Sequence, residues 1–551
     1  MFGSLGSLYQ PGATTAIIHA SIIISMNYQG FLLASVAALL GMTSKAQEKK
    51  ENTIVNVDIS QNSAAAYSIP QKSVTHGIVT VEGTRIPYDA IAGTIVLKNS
   101  ADTPTASIFY TAYFKADGKD AAQRPLTFLY NGGPGSSTIW LHMGAFGPQR
   151  VSLSDTAATR PPFTTVNNDY SLLDGSDLVF IDAPGTGFSK LITRESKGAG
   201  KLEDFYGGDA DAGAFASFIV QFLTQYNRWA SPKYLFGESY GTFRSALLAN
   251  ALETDKGVSL NGVILLSQTL NIANSPDNPH AEPGNELPYE LALPSYAAVA
   301  WYHHQLPGRP EKLEPFLKEV EHFAMNEYAL ALNKGASLDS AAFEQIAAKL
   351  HDYTGISLSY IKKANLRIED GQFEHQLLID QDKITGRLDG RFNGYSTNPL
   401  GEKSLVDPMD SYIDGPFIAA FNKYVRNDLK FGSDQPFFPG GPGVYEQWDY
   451  RHKIPGFTDQ QENIYPNAMT ALAGAMAYDP NLKVMLNSGY FDLGTPYFQG
   501  VYEMQHLPMP AALQKNIEYK LYYSGHMVYL HPESLKLLHD NVVKFILSTT
   551  Q

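Results

Sequence analysis

The 551-residue sequence contains no cysteine. That absence removes disulfide bonds, thiolate nucleophiles and thiolate metal sites together. It leaves the compartment open, because cytosolic proteins and exported bacterial proteins can both do without thiols. Long basic runs are missing too, and the formal net charge is −14. Nucleic acid is therefore not an expected partner. Charge is also absent from the first 44 residues, where Lys45 is the first ionisable Lys, Arg, Asp or Glu. Inside that stretch, FLLASVAALLGM (31–42) is an apolar run of signal-peptide length. Ser44-Lys45-Ala46 then offers small residues where a signal peptidase reads. Residues 1–46 are read as an export signal cut near Ala46, which points to a periplasmic or extracellular bacterial protein. Met26 is a second candidate start. No Lys or Arg precedes the apolar run, so an uncleaved anchor over 16–42 stays open, and a membrane is a partner only in that case. No other segment is long and apolar enough to span a bilayer.

What is present is a chain built to fold: 44% hydrophobic and 17% charged residues, with 32 Tyr and 29 Phe. Residues 74–115 alternate apolar and polar positions and read as antiparallel strands. The pattern then changes to short continuous apolar runs, LTFLYN (126–131), DLVFIDAP (177–184), YLFGES (234–239) and GVILLSQ (262–268). Such runs suit strands covered on both faces, as in a parallel sheet. Phe215, Phe218, Ile219, Phe222, Leu223 and Tyr226 recur at helical spacing between two of them. Two more parallel-type strands, at 481–489 and 517–525, precede a last helix. Residues 271–478 lack the alternation and carry helical stretches near 311–333, 339–352 and 411–430. The expectation is an α/β fold with a mostly parallel central sheet and a large, mainly helical cap. Its parts are the leader (1–46), a first core segment (47–270), the cap (271–478) and a last core segment (479–551).

Gly237-Glu238-Ser239-Tyr240-Gly241 fits G-x-S-x-G, with an apolar strand before it and a helix after it. That context puts Ser239 on a sharp strand-to-helix turn. A serine hydroxyl needs a base, and the base an orienting acid. Asp492 follows the strand at 481–489, and His526 follows the next one, in the order Ser, Asp, His. FLYNGGPGSS (128–137) supplies a glycine-rich loop after a strand, suited to bringing backbone N–H groups near a substrate carbonyl.

With NGGPGSS, GPQRV, VFIDAPGTGFS, GESYG, NSGYFDLGTP and SGHMV in this order, the chain resembles the serine carboxypeptidases, the S10 peptidases of the α/β-hydrolase superfamily. The resemblance implies Ser239, Asp492 and His526 as the triad, and the N–H groups of Gly133 and Tyr240 as the oxyanion hole. It implies that Asn131 and Glu238 help hold the C-terminal carboxylate of a peptide substrate. No cofactor or metal is implied. A Glu beside a bound carboxylate must share a proton with it, so peptidase activity is expected to be best at acidic pH. Two departures stand out. The family's disulfides are missing, and Ala145 occupies the position of a second family Glu. An esterase or acyltransferase on the same triad is the alternative, with a non-catalytic binding module behind it. Arg150 and Arg244 are candidates to replace the lost clamp, though a structural ion pair suits either better. Asp182 is read as structural because it precedes the nucleophile. Asn285, Glu286, Tyr289 and Trp301 are cap residues that could touch substrate. His303-His304 is discounted as a metal pair, and neither His142 nor His531 is placed by any motif.

Overall fold

The computed structural model describes residues 66–550 except 119, 154, 157–159, 405, 455–461 and 464–466. The leader read in residues 1–46 lies outside the described residues. Nine strands follow one another across the central sheet: β1 (Lys72–Val81), β2 (Thr84–Lys98), β3 (Pro104–Lys115), β4 (Leu126–Tyr130), β5 (Asp177–Ile181), β6 (Lys233–Glu238), β7 (Gly262–Leu266), β8 (Lys483–Gly489) and β9 (Ile517–Tyr522). Their spatial order is β1-β2-β3-β5-β4-β6-β7-β8-β9, and a two-residue tenth strand, Lys190–Leu191, pairs with β3. β1, β2, β3 and β5 pair antiparallel. From β5 to β9 every neighbour is parallel.

The alternation read over 74–115 shows in β1, whereas β2 from Ala90 to Leu97 and β3 from Thr105 to Tyr113 are buried on both faces. β1 leaves every second residue exposed, whereas β4, β5, β6 and β7 are buried along their whole length. Helices cover both faces of the parallel part. On one face, α1 (Gly208–Gln225) sets Phe215, Phe218, Ile219 and Phe222 against Phe128, Leu235 and Val263. Each such side chain contributes roughly 1.5–3 kcal/mol by leaving water. On the other face, α10 (Pro532–Thr549) packs Leu538, Val542 and Phe545 against Tyr234, Phe236 and Ile264. Tyr234, Leu235 and Phe236 thus serve alternate faces, as the strand period requires.

Between β7 and β8 the chain leaves the sheet. Helices α3 (Leu287–Tyr302), α4 (Leu313–Phe323), α5 (Ser340–Thr354) and α6 (Asp370–Gln376) share their own apolar core with Phe491, Leu493 and Tyr497. α3 is buried almost all round, which its run of apolar residues demands. α7 (Asp410–Asn427) turns back and packs Phe417 and Phe421 on the same sheet face as α10. α8 (Met469–Tyr478) covers the opposite face, and α9 (Tyr497–Gln505) follows β8.

Candidate active site

The carboxyl ends of the parallel strands carry the site. β6 ends at Glu238, α2 (Tyr240–Asp255) begins at Tyr240, and Ser239 alone makes the turn between them. Its backbone is left-handed, with φ 61° and ψ −131°. A serine there costs on the order of 1–3 kcal/mol, which the surrounding structure must offset. The turn is held by Ser239 N–H donating to Leu266 O at 2.9 Å and Thr242 N–H donating to Ser239 O at 2.8 Å. The flanking glycines are steric requirements. A Cβ on Gly237 would collide with Gly241 O and Ser245 Oγ, so strand and helix could not cross this closely.

The glycine-rich loop after β4 lies against the same turn. A Cβ on Gly132 would collide with the amide nitrogens of Tyr240 and Gly241. Gly133 takes φ 104°, a conformation that suits glycine. Tyr240 opens α2, so its N–H is one of the donors that a helix start leaves free. Gly133, Ser239, Tyr240 and His526 all line one cleft of about 830 Å³. Behind the loop, Asp182 Oδ1 accepts from Thr138 N–H at 2.8 Å. Burial pushes the Asp182 carboxyl up to about 7. It lies inside the fold beneath the loop, apart from the lining of the cleft.

Asp492 and His526 follow β8 and β9. His526 Nδ1 donates to Asp492 Oδ2 at 2.8 Å. Asp492 is otherwise saturated by Thr495, whose N–H reaches Oδ1 at 2.9 Å and whose hydroxyl donates to Oδ2 at 2.6 Å. The backbone of His526 is pinned on both sides. Its N–H donates to Leu388 O at 2.7 Å, and its carbonyl accepts from Ser267 Oγ at 2.6 Å. Burial works against a charged imidazole, but the charge and hydrogen bond of Asp492, with Glu238 behind them, outweigh it and leave the His526 pKa raised.

Asn131 and Glu238 meet beneath the turn. Glu238 is 1% exposed, and Tyr529 donates to its Oε1 at 3.2 Å. Its Oε2 is buried without a partner. Burial pushes the carboxyl up to about 7, against the opposing pull of His526 and of hydrogen bonds from Tyr529 and Asn131. Neither Asn131 nor Glu238 is among the residues lining the cleft. Ala145 is buried, and the ring of Tyr529 packs against neighbouring Gly144. A phenol therefore faces Glu238 where the family pattern leads one to look for a second carboxyl.

The remaining sequence candidates lie elsewhere. Arg244 is buried, donating to Asp211 Oδ2 at 2.6 Å and to Asn131 O at 2.8 Å. Arg150 lies on a short strand, Gln149–Val151, and does not line the cleft. Glu286 pairs with Arg367, Asn285 donates to Ala273 O, and the Trp301 indole donates to Pro310 O. Tyr289 is buried in the cap core. His303 bonds Gly390 O, and no metal-holding cluster occurs among the described residues. His142 stacks on Phe180 and bonds Tyr113, while His531 caps α10.

Three participants escaped the sequence reading. Thr495 sits three residues after Asp492, the spacing at which an Asp accepts from a turn, so that signal was available. Tyr529 lies three residues after His526 with nothing local to mark it. Arg387 lines the cleft, and its carbonyl accepts from Leu493 and Gly494, next to Asp492. Only the fold brings it there.

A left-handed serine at a strand-to-helix turn, a buried Asp–His pair after the last two strands and a glycine loop packed on that turn lie together on an α/β-hydrolase fold. Residues 91–274 match the family model described as serine carboxypeptidase. It is 26% identical over 251 residues to the pheromone-processing carboxypeptidase KEX1 of Saccharomyces cerevisiae, covering 44% of this chain and 33% of the relative. It is 30% identical over 172 residues to serine carboxypeptidase-like 33 of Arabidopsis thaliana, covering 29% of this chain and 33% of the relative. The alignments thus span about a third of those curated relatives. The crystal structure of a KEX1 prohormone-processing carboxypeptidase from Saccharomyces cerevisiae superposes with a TM-score of 0.51 at 16% identity, over 88% of this chain and 92% of that one. That likeness is one of fold.

Proposed function

We propose that the protein is a serine-type carboxypeptidase that cleaves C-terminal residues from peptides through an acyl-enzyme on Ser239. His526 takes the Ser239 proton, then returns one to the leaving amine, while Asp492 holds the imidazole in the required tautomer. The N–H groups of Gly133 and Tyr240 receive the developing oxyanion. The observation that carries this reading is the buried Asp492–His526 bond opening on the same cleft as the strained Ser239. Export with removal of residues 1–46 belongs to the same reading, supported by the apolar run 31–42 and the small residues Ser44 and Ala46 that follow it. No helix among the described residues is long and apolar enough to cross a membrane.

Carboxylate recognition falls to Glu238 with Asn131. With its pKa at about 7, Glu238 holds a proton below that pH and can donate it to a substrate carboxylate. As pH rises through about 7 the proton is lost, and two like charges then oppose each other. Cleavage of peptides with a free C-terminus should therefore fall through this range, with ester hydrolysis much less affected. Glu238→Gln keeps a donor at every pH. It should flatten the alkaline fall for peptides and leave the ester profile nearly unchanged. Parallel pH–rate profiles on the two substrates check this, and an unaltered peptide profile in the variant would remove Glu238 from carboxylate recognition.

An esterase or acyltransferase reading has one observation in its favour, the burial of Asn131 and Glu238 away from the cleft wall. Matched peptides with free and amidated C-termini separate the two. A carboxypeptidase should process the free acid at least about 10-fold faster at pH 5–6, since charge-assisted hydrogen bonds of this kind carry such a ratio. Equal rates would leave the esterase reading standing.

A further inference from the structure

The cleft that holds Ser239 is also lined by Asp277, Glu282, Asp370 and Glu374, with Arg387 and Lys403 as basic groups. The two bases are already committed. Arg387 donates from Nε and Nη2 to Asp277 Oδ1 at 2.8 and 2.5 Å, and from Nε to Asp370 Oδ2 at 3.3 Å. Lys403 pairs at 2.5 Å with Glu369, which stands behind the wall. One guanidinium is thus left to serve Asp277, Asp370 and Glu374 together. Asp370 stands close enough to Asp277 to feel its charge, and the two share the Arg387 guanidinium. Burial, with the charge of Asp277, pushes the Asp370 carboxyl up to about 8. The same two influences, burial and then the charge of Asp370, raise Glu374.

Glu374 supplies the observation that points to a ligand. It is 4% exposed, yet it is part of the cleft wall, and its Oε1 is buried with no hydrogen-bond partner. A buried acceptor left without a donor costs roughly 1–3 kcal/mol, so the position rewards a donor arriving from the cleft. Tyr445 and Tyr450 line the same cleft, and the Tyr450 hydroxyl lies close enough to Asp277 to feel its charge. Aromatic faces beside carboxylates make a setting that favours a cation over an anion or a neutral polar group.

We propose that Glu374, Asp370 and Asp277 form a specificity site that takes a cationic side chain, the ammonium of Lys or the guanidinium of Arg, from the peptide held in the cleft. The proposal rests on the hydrolase reading of Ser239. Asp277 follows β7, and Asp370 and Glu374 lie on α6, so all three come from the segment between β7 and β8. A bound cation supplies the positive charge that the single Arg387 guanidinium does not, and it donates to the free Glu374 oxygen. An acidic substrate side chain meets the opposite field and is rejected.

Arginine and citrulline have nearly the same shape and differ in charge, which makes them the decisive pair. Peptides and esters that differ only in this residue, on the acyl side or on the leaving side, are compared with the full-length enzyme. In at least one of the two positions arginine should be favoured at least about 10-fold in kcat/KM, and Glu374→Gln or Asp370→Asn should abolish the preference while turnover of a neutral ester persists. Agmatine, a cation without a carboxylate, should bind the wild type in calorimetry and lose about 10-fold in affinity on Glu374→Gln. Equal rates for arginine and citrulline in both positions, with Ser239 labelling and neutral-ester turnover intact, would overturn the site and leave the hydrolase reading in place. A preference that survives both variants, with unchanged melting temperatures, would overturn the assignment to these residues. Should no substrate turn over, failure of agmatine to bind overturns the site on its own.

Discussion

Ser239→Ala should abolish fluorophosphonate labelling and lower kcat on ester and peptide substrates by about 10⁴- to 10⁶-fold. The size of the loss follows from what the rest of the site is built to do. Asp492 and Thr495 fix His526, and the glycine loop and the start of α2 surround the position of the reacting carbonyl, all for one oxygen. Without that oxygen the oxyanion donors still hold and polarise a substrate, which leaves roughly 10³- to 10⁴-fold over water. The fold should not suffer. Ser239 N–H and C=O hold the turn through backbone bonds that alanine keeps, and no side-chain bond of Ser239 caps α2. The check is a mass-tagged fluorophosphonate on wild type and variant, beside thermal melts. Labelling that persists in a folded Ser239→Ala protein would mean that a different serine is the nucleophile.

How far the sequence carries this site depends on how local each signal is. Ser239 was legible because the turn imposes its own chemistry: glycines two residues to either side, a buried strand before and a helix after. The same holds for Gly132, whose lack of a side chain is what allows the loop to touch the turn, and for Gly133, which takes φ 104°. The parallel strands were legible too, since burial on both faces leaves continuous apolar runs in β4 to β7, but the alternation read over 74–115 missed that β2 and β3 are buried on both faces over most of their length. Contacts between distant parts of the chain left no such trace. Arg387 and Asp277 are 110 residues apart, in a region with no repeating pattern to set their register. α7 reads as one more helix among the cap helices, yet it packs on the sheet, because Phe417 and Phe421 fit the same face as α10. Tyr529 stood within a quoted run, but only the fold aims its hydroxyl at Glu238.

The polar ring around Asp492 sets the second large effect. Asp492→Asn should lower kcat by about 10⁴-fold although the volume hardly changes. In the native site Oδ1 accepts from Thr495 N–H, and Oδ2 accepts from both Thr495 Oγ1 and His526 Nδ1. Asparagine has a single oxygen for these two places. If it stays opposite the Thr495 amide, its NH₂ group faces His526, and Nδ1 must become an acceptor. The ring proton then moves to Nε2, the nitrogen that has to receive the proton of Ser239. If the amide flips, its NH₂ group meets the Thr495 N–H, and two buried donors oppose each other at a cost of roughly 1–3 kcal/mol. Either orientation disables the base or strains the loop, and the first is the less costly. The charge is lost as well. The charge and hydrogen bond of Asp492 are what raise the His526 pKa against burial, so the variant's imidazole should titrate lower. As the proposed base, His526 cannot take the Ser239 proton while it is itself protonated, so the acid limb of the residual rate should move to lower pH. A full pH–rate profile of the variant on an activated ester tests both parts. A loss under 10-fold, or an acid limb that stays in place, would show that Asp492 does not orient this base.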